Sequence, residues 1–307
     1  MTVDHTSRAA QVTPVPVAVT SADGVALAGV HLSWRAPSAG TALVVAHAFT
    51  HHTRHPTTRR LLAAFAAEAP VLALDMRGHG RSGGRNTVGD HEPLDLDAAV
   101  ATARALGYER VATIGFSLGA AVALRQAAAG AHRPDAVVAV SSPARWYSRE
   151  TAAMRRVHWL LEQPHGRLAA RALGVRLDGG WEVVPPSPVE VVAGIEVPLL
   201  LVHIAGDRYF SAAHARTLAT ASGDRAQLWE EPGDGHGESG THPELARRIA
   251  RWALAACEGA TPEGHREPPG RSGGAELRNP GDGRERARST VEGLTPAERR
   301  AARSEVG

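Results

Sequence analysis

Apolar positions along this chain follow two rhythms. Short runs that are apolar almost throughout predict strands buried on both faces: Thr41–Ala46 (Thr-Ala-Leu-Val-Val-Ala), Val71–Asp75, Arg110–Ile114, Asp135–Val140 and Val197–Ile204. Between them lie longer stretches that read as helices. Thr57–Glu68 carries Leu61, Leu62 and Phe65 on one face, Asp95–Leu106 is closed by Gly107, and Ala120–Ala129 and Ala212–Ala221 are alanine-rich. Near the start, Val15–Thr20 and Val25–Trp34 are β-rich and flank Asp23-Gly24, a hairpin signal. Ala226–Glu230 predicts a last short strand. Thr241-His242-Pro243-Glu244 predicts a capping box, with Thr241 as N-cap of a helix ending near Cys257. Strand alternating with helix implies βαβ units and a mostly parallel sheet.

The alternation breaks between Ala144 and Ile195. There Arg149–Leu161 predicts one helix with Met154, Val157, Leu160 and Leu161 on its apolar face, and Gly179-Gly180 and Pro185-Pro186-Ser187-Pro188 mark loops. An insertion between two strands of a parallel sheet is expected to lie over the strand ends. Residues 1–12 are polar and predict a flexible tail. From residue 258 to 307 Gly, Pro, Arg and Glu dominate and large apolar residues almost vanish, which predicts disorder. The organisation expected is therefore a tail (1–12), one domain (13–257) with an insertion at about 144–195, and a second tail (258–307).

Composition narrows this further. A 307-residue chain that is 43% hydrophobic can bury a sizeable core. Its 34 basic and 32 acidic residues leave a net charge of +2, too little for a global field that recruits nucleic acid or a membrane surface. Every basic side chain except histidine is arginine. A single cysteine, Cys257, excludes an internal disulfide, and its place at a helix end marks it as inert. The first residues lack the apolar segment of a signal peptide, and no apolar run is long enough to span a bilayer. The expectation is a soluble cytoplasmic protein acting on a small molecule, with no cofactor, nucleic acid or membrane span; the oligomeric state stays open.

Candidate chemistry enters at Ile114-Gly115-Phe116-Ser117-Leu118-Gly119-Ala120, where a strand turns sharply into a helix around Gly-x-Ser-x-Gly. Glycines on both sides permit the close approach that such a turn needs, and Ser117 then stands exposed above the strand end. A serine hydroxyl needs a base to take its proton, and the base needs a carboxylate to orient it. Asp207 directly follows the strand Leu199–Ile204, and His236 lies in the glycine-rich loop after the last strand. Sixteen histidines compete for the role of base. His203 lies inside a strand, His158 and His165 belong to the insertion, and His242 opens a helix; only His236 combines the loop, the flanking glycines and the chain order. Asp234 is too near His236 in sequence to orient its ring. The developing oxyanion requires two N–H groups, expected from Leu118 and from Phe49 in the loop His47-Ala48-Phe49. The histidines 47, 51, 52 and 55 have no ligand spacing that favours a metal.

Taken together, His47-Ala48-Phe49, Asp75-x-Arg77-Gly78-His79-Gly80-x-Ser82, Gly115-Phe116-Ser117-Leu118-Gly119, Gly206-Asp207 and Gly235-His236-Gly237 resemble the α/β-hydrolase-fold serine hydrolases, a family of esterases, lipases and thioesterases, over about residues 13–257. The resemblance implies an α/β fold with a mainly parallel eight-stranded sheet, helices on both faces, and a cap between the sixth and seventh strands formed by the 144–195 insertion. One departure is Ala48, where family members usually carry glycine. The activity expected is cleavage of a carboxylic ester or related acyl bond, with Ser117 as nucleophile, His236 as base and Asp207 as its orienting acid. Rival readings keep the site and change the reaction: a thioesterase or acyltransferase in a biosynthetic pathway, a cofactor-free haloperoxidase, or a C–C hydrolase. A non-catalytic binding protein on the same fold would have no need of all three side chains.

Overall fold

The computed structural model describes residues 13–33, 40–163 and 165–260. The tail expected at 1–12 lies outside the described residues, as does the tail expected at 258–307 apart from residues 258–260. Eight strands form one sheet in the order β1-β2-β4-β3-β5-β6-β7-β8. β1 (Pro14–Thr20) and β2 (Ala26–Leu32) are antiparallel, and β2 pairs antiparallel with β4 (Val71–Leu74). From β4 through β3 (Thr41–Ala46), β5 (Arg110–Phe116), β6 (Ala136–Val140), β7 (Leu199–Gly206) and β8 (Ala226–Asp234) every pairing is parallel.

The period of two in a strand explains why these strands read as continuous apolar runs. Ala42, Val44 and Ala46 of β3 enter the core on one face of the sheet, and Leu43 and Val45 enter the core on the other. The first core is closed by α2 (Glu92–Ala105), α3 (Leu118–Ala129) and α7 (Ala212–Ser222). The second is closed by α1 (Pro56–Ala66) and α8 (Pro243–Cys257). With both faces covered, no polar alternation is left for a central strand to show.

Between β6 and β7 the chain forms α4 (Ala152–Glu162), α5 (Gly166–Ala172) and the short α6 (Pro188–Val191). α4 starts at an N-cap the periodicity missed: Thr151 accepts from the Met154 N–H at 3.1 Å, so the helix begins three residues later than expected. α2 begins a turn earlier than expected, because Glu92 is buried and collects N–H groups of Thr87 and Gly89 at its start. The cap of α8 also differs from the sequence expectation. His242, not Thr241, is the N-cap, its Nδ1 accepting from the Leu245 N–H at 3.2 Å. Thr241 is diverted, donating its hydroxyl to Gly237 O at 2.9 Å. Among the described residues no helix is long and apolar enough to cross a membrane.

Candidate active site

The sheet order reverses direction at β3: from there the chain moves first to β4 on one side and then to β5 on the other. Loops leaving adjacent strands at such a reversal part above and below the sheet and leave a crevice at its carboxyl edge. The loops after β3 and β5 flank that crevice, and those after β7 and β8 follow along the same edge.

Ser117 ends β5. Its backbone has φ 53° and ψ −114°, outside the usual regions for an L-residue and a source of roughly 1–3 kcal/mol of local strain. The turn is held by close approach. A Cβ on Gly115 would lie 2.2 Å from Gly119 O, and one on Gly119 would lie 2.4 Å from Ala46 O. The Ser117 N–H continues the sheet by donating to Val140 O at 2.9 Å.

The Ser117 hydroxyl lies 2.7 Å from His236 Nε2, and His236 Nδ1 lies 2.7 Å from Asp207 Oδ2. The second carboxylate oxygen of Asp207 accepts the N–H groups of Tyr209 at 2.8 Å and Phe210 at 3.3 Å. The carboxylate is fully buried, whereas the His236 ring keeps 14% exposure. Burial works to raise the Asp207 pKa, but hydrogen bonds from His236, the Tyr209 amide and Ser141 outweigh it and hold the group below the usual carboxylate range. An ionised Asp207 selects the tautomer with hydrogen on Nδ1, which leaves Nε2 to accept from the serine. Tyr209 and Phe210 also flank the imidazole, with ring centroids 4.4 and 5.4 Å away.

The loop after β3 is fixed peptide by peptide. Ala48 O accepts from the His51 N–H at 3.0 Å and from His47 Nδ1 at 2.8 Å. A planar trans peptide then directs the Phe49 N–H the opposite way. His47 is neutral, its pKa pushed down by burial to about 3, and its Nε2 accepts from the Met76 N–H at 3.0 Å. His79 contacts Phe49 O through Nε2. Among the described residues neither the Phe49 nor the Leu118 N–H is taken by a protein acceptor.

Two positions that sequence reasoning passed over tie these loops together. Ser141, buried at the end of β6 with φ 52°, accepts the Gly237 N–H at 3.1 Å and hydrogen-bonds Asp207. Glu238, two residues beyond His236, is buried. It accepts the Ala48 N–H at 2.9 Å, His51 Nδ1 at 2.6 Å and the Thr58 hydroxyl at 2.5 Å. It therefore links the loop bearing His236 to the loop bearing Phe49 and to α1. The run Ser141-Ser142-Pro143 does mark a strand end, but nothing in sequence separates Glu238 from a solvated glutamate.

Ser117, His236, Phe49 and Leu118 all line one cavity of about 860 Å³, whose other side is built from the β6–β7 insertion. Met154, Val157, His158 and Leu161 of α4 face it at positions i, i+3, i+4 and i+7. Three residues of the expected apolar face, Met154, Val157 and Leu161, are thus turned to the cavity, with His158 beside them, while Leu160 packs against the cluster of Ala170, Val175 and Leu177.

A family model for the alpha/beta hydrolase fold matches residues 41–178. The YqkD protein of Bacillus subtilis (strain 168), itself uncharacterized, is 31% identical over 154 residues, 48% of this chain and 49% of that protein. The chain thus matches about half the length of that curated relative. The Pyrococcus furiosus esterase Pf2001 aligns with a TM-score of 0.61 at 23% identity, covering 78% of this chain and 92% of its own. The esterase RhEst1 from Rhodococcus sp. ECU1013 aligns with a TM-score of 0.58 at 19% identity, covering 80% and 99%. At such identities the likeness is one of fold. With its sheet order, its serine turn and these matches, the chain has the α/β-hydrolase fold.

Proposed function

We propose that this chain is a serine hydrolase that cleaves carboxylic esters or related acyl bonds of a small-molecule substrate. The observation that carries the reading is the continuous hydrogen-bonded line from the Ser117 hydroxyl through His236 to Asp207, 2.7 Å at each step. As the ester carbonyl is attacked, the serine proton passes to His236 Nε2 and Oγ bonds to the carbonyl carbon. Asp207 stabilises the imidazolium that forms. The oxyanion is met by the N–H groups of Leu118 and Phe49, the first reinforced by the N-terminal dipole of α3. Collapse breaks the ester C–O bond, and His236 returns its proton to the leaving oxygen. Water repeats the sequence on the acyl-enzyme: His236 takes a proton from it, and Ser117 leaves with that proton. The insertion serves as a cap that shields these steps from bulk water.

Replacing Ser117 with Ala tests the reading. Hydrolysis of a p-nitrophenyl ester and labelling by a fluorophosphonate probe are both expected to vanish. A variant that still labels removes Ser117 as nucleophile.

A further inference from the structure

The cavity above Ser117 is walled with rings. Aromatic residues make up only 4% of the chain, thirteen in all, yet Phe49, Trp146, Tyr147, Trp181, Tyr209 and Phe210 converge on this one space. Trp146 belongs to the edge of the first sheet core, and Phe49 and Trp181 pack against it, yet nearly half of a scarce residue type gathered around one cavity argues for a role in what the cavity holds.

Both tryptophans of the wall are held in place. Trp146 donates its indole N–H to Pro185 O at 2.9 Å, and Trp181 donates to Thr87 O at 2.6 Å. Trp146 lies against Gly89 so closely that a Cβ there would come within 2.5 Å of the ring, and the φ of +96° at that position suits glycine alone. The two indoles pack with centroids 5.7 Å apart, and Tyr147 stands edge-on to Trp181 at 5.9 Å and 86°. With both N–H groups satisfied, the tryptophans offer the cavity ring surface rather than donors.

Resting on the ester-cleaving reading above, we propose that this cavity selects acyl groups built on aromatic rings over n-alkyl chains of similar size. Both kinds of acyl group would bury apolar area. A flexible chain, however, must also lose rotamer freedom when held by a wall whose tryptophans are fixed. A flat ring loses little, and its quadrupole meets the fixed rings edge-to-face or offset, worth about two- to tenfold per ring pair. Tyr209 and Phe210 extend the same surface up to His236, so a ring close to the scissile carbonyl remains in contact with it.

The test compares p-nitrophenyl naphthylacetate with p-nitrophenyl decanoate, which share a leaving group. After correction for alkaline reactivity, kcat/KM for the naphthyl ester is expected to be about tenfold higher or more. Trp181→Leu, and separately Tyr147→Leu at a position 62% exposed, should each lower that ratio about fivefold. A wild-type ratio at or below one overturns the proposal; if Ser117→Ala then abolishes both activities, the esterase reading stands without it. If neither ester is turned over, the esterase reading fails alone, and calorimetric titration of the Ser117→Ala protein with methyl naphthylacetate decides. Saturable binding that Trp181→Leu weakens supports the aromatic wall, and no saturable binding overturns it.

Discussion

The conformation of Ser117 is sustained by what its neighbours lack. With a Cβ at 119 only 2.4 Å from Ala46 O, a backbone atom that cannot swing away, Gly119→Ala is expected to cost about 1–3 kcal/mol in a urea melt. Ester turnover should fall further than stability does, because the same shift moves the Leu118 N–H. Asp207→Asn keeps the size of the side chain and removes the charge that selects the His236 tautomer. If the proposed roles hold, kcat should drop about 10³–10⁴-fold while circular dichroism stays unchanged. Cys257 makes a contrasting case. Burial pushes its thiol up to about 12, so a disulfide reagent such as Ellman's should react with it only after denaturation. Each of these residues stood out in sequence because a glycine neighbour, a strand end or a helix end marked it. Ser141 at a strand end and Glu238 beside Gly237 carried similar local marks, but nothing local pointed to their roles, which depend on partners 66 and 180 or more positions away.

At the scale of elements, the loop after β8 and the loop after β3 are joined by one carboxylate. Burial would raise the Glu238 pKa, but hydrogen bonds from His51, Thr58 and the Ala48 amide hold it below the ordinary 4.5. The folded state therefore binds a proton at Glu238 less readily than the unfolded chain. The stabilisation is complete above pH 4.5 and drains away as pH falls through that value toward the lower folded pKa. Glu238→Gln presents an amide N–H₂ to groups that are themselves donors, and should be about 1–3 kcal/mol less stable at neutral pH. The gap should narrow as pH is lowered below about 4.5, as read from urea midpoints across that range. Helix existence was legible from apolar spacing, and the start at Ala212 with it, but three other helix starts were not. Thr151, Glu92 and His242 set them through individual hydrogen bonds, and Thr241 was drawn off to the His236 loop.

Across the whole of residues 13–260, the β6–β7 insertion is attached unevenly. Its return arm is laced to the loops after β4: the Asn86 N–H donates to Arg176 O at 2.7 Å, the Arg176 N–H to Gly78 O at 2.9 Å, and the Asp178 N–H to Asn86 O at 2.9 Å. α4, by contrast, buries only Met154 and His158. Hydrogen exchange should be markedly slower at the Arg176 and Asp178 amides than along α4, and a bound active-site inhibitor should slow α4 more than the return arm. The reverse order would mean that the cavity roof is the stable part. By itself the sequence determined the alternation of strand and helix, the strand-end position and chain order of Ser117, Asp207 and His236, and the presence of an insertion, because each is written in local periodicity or local turn chemistry. Tertiary structure alone decided that Glu238 and Ser141 bind those loops together, that most of the α4 stripe faces a cavity, and that scattered aromatic rings form one wall. Those outcomes depend on which distant segments the parallel sheet brings side by side, and pairing across a sheet leaves no periodic trace in the chain.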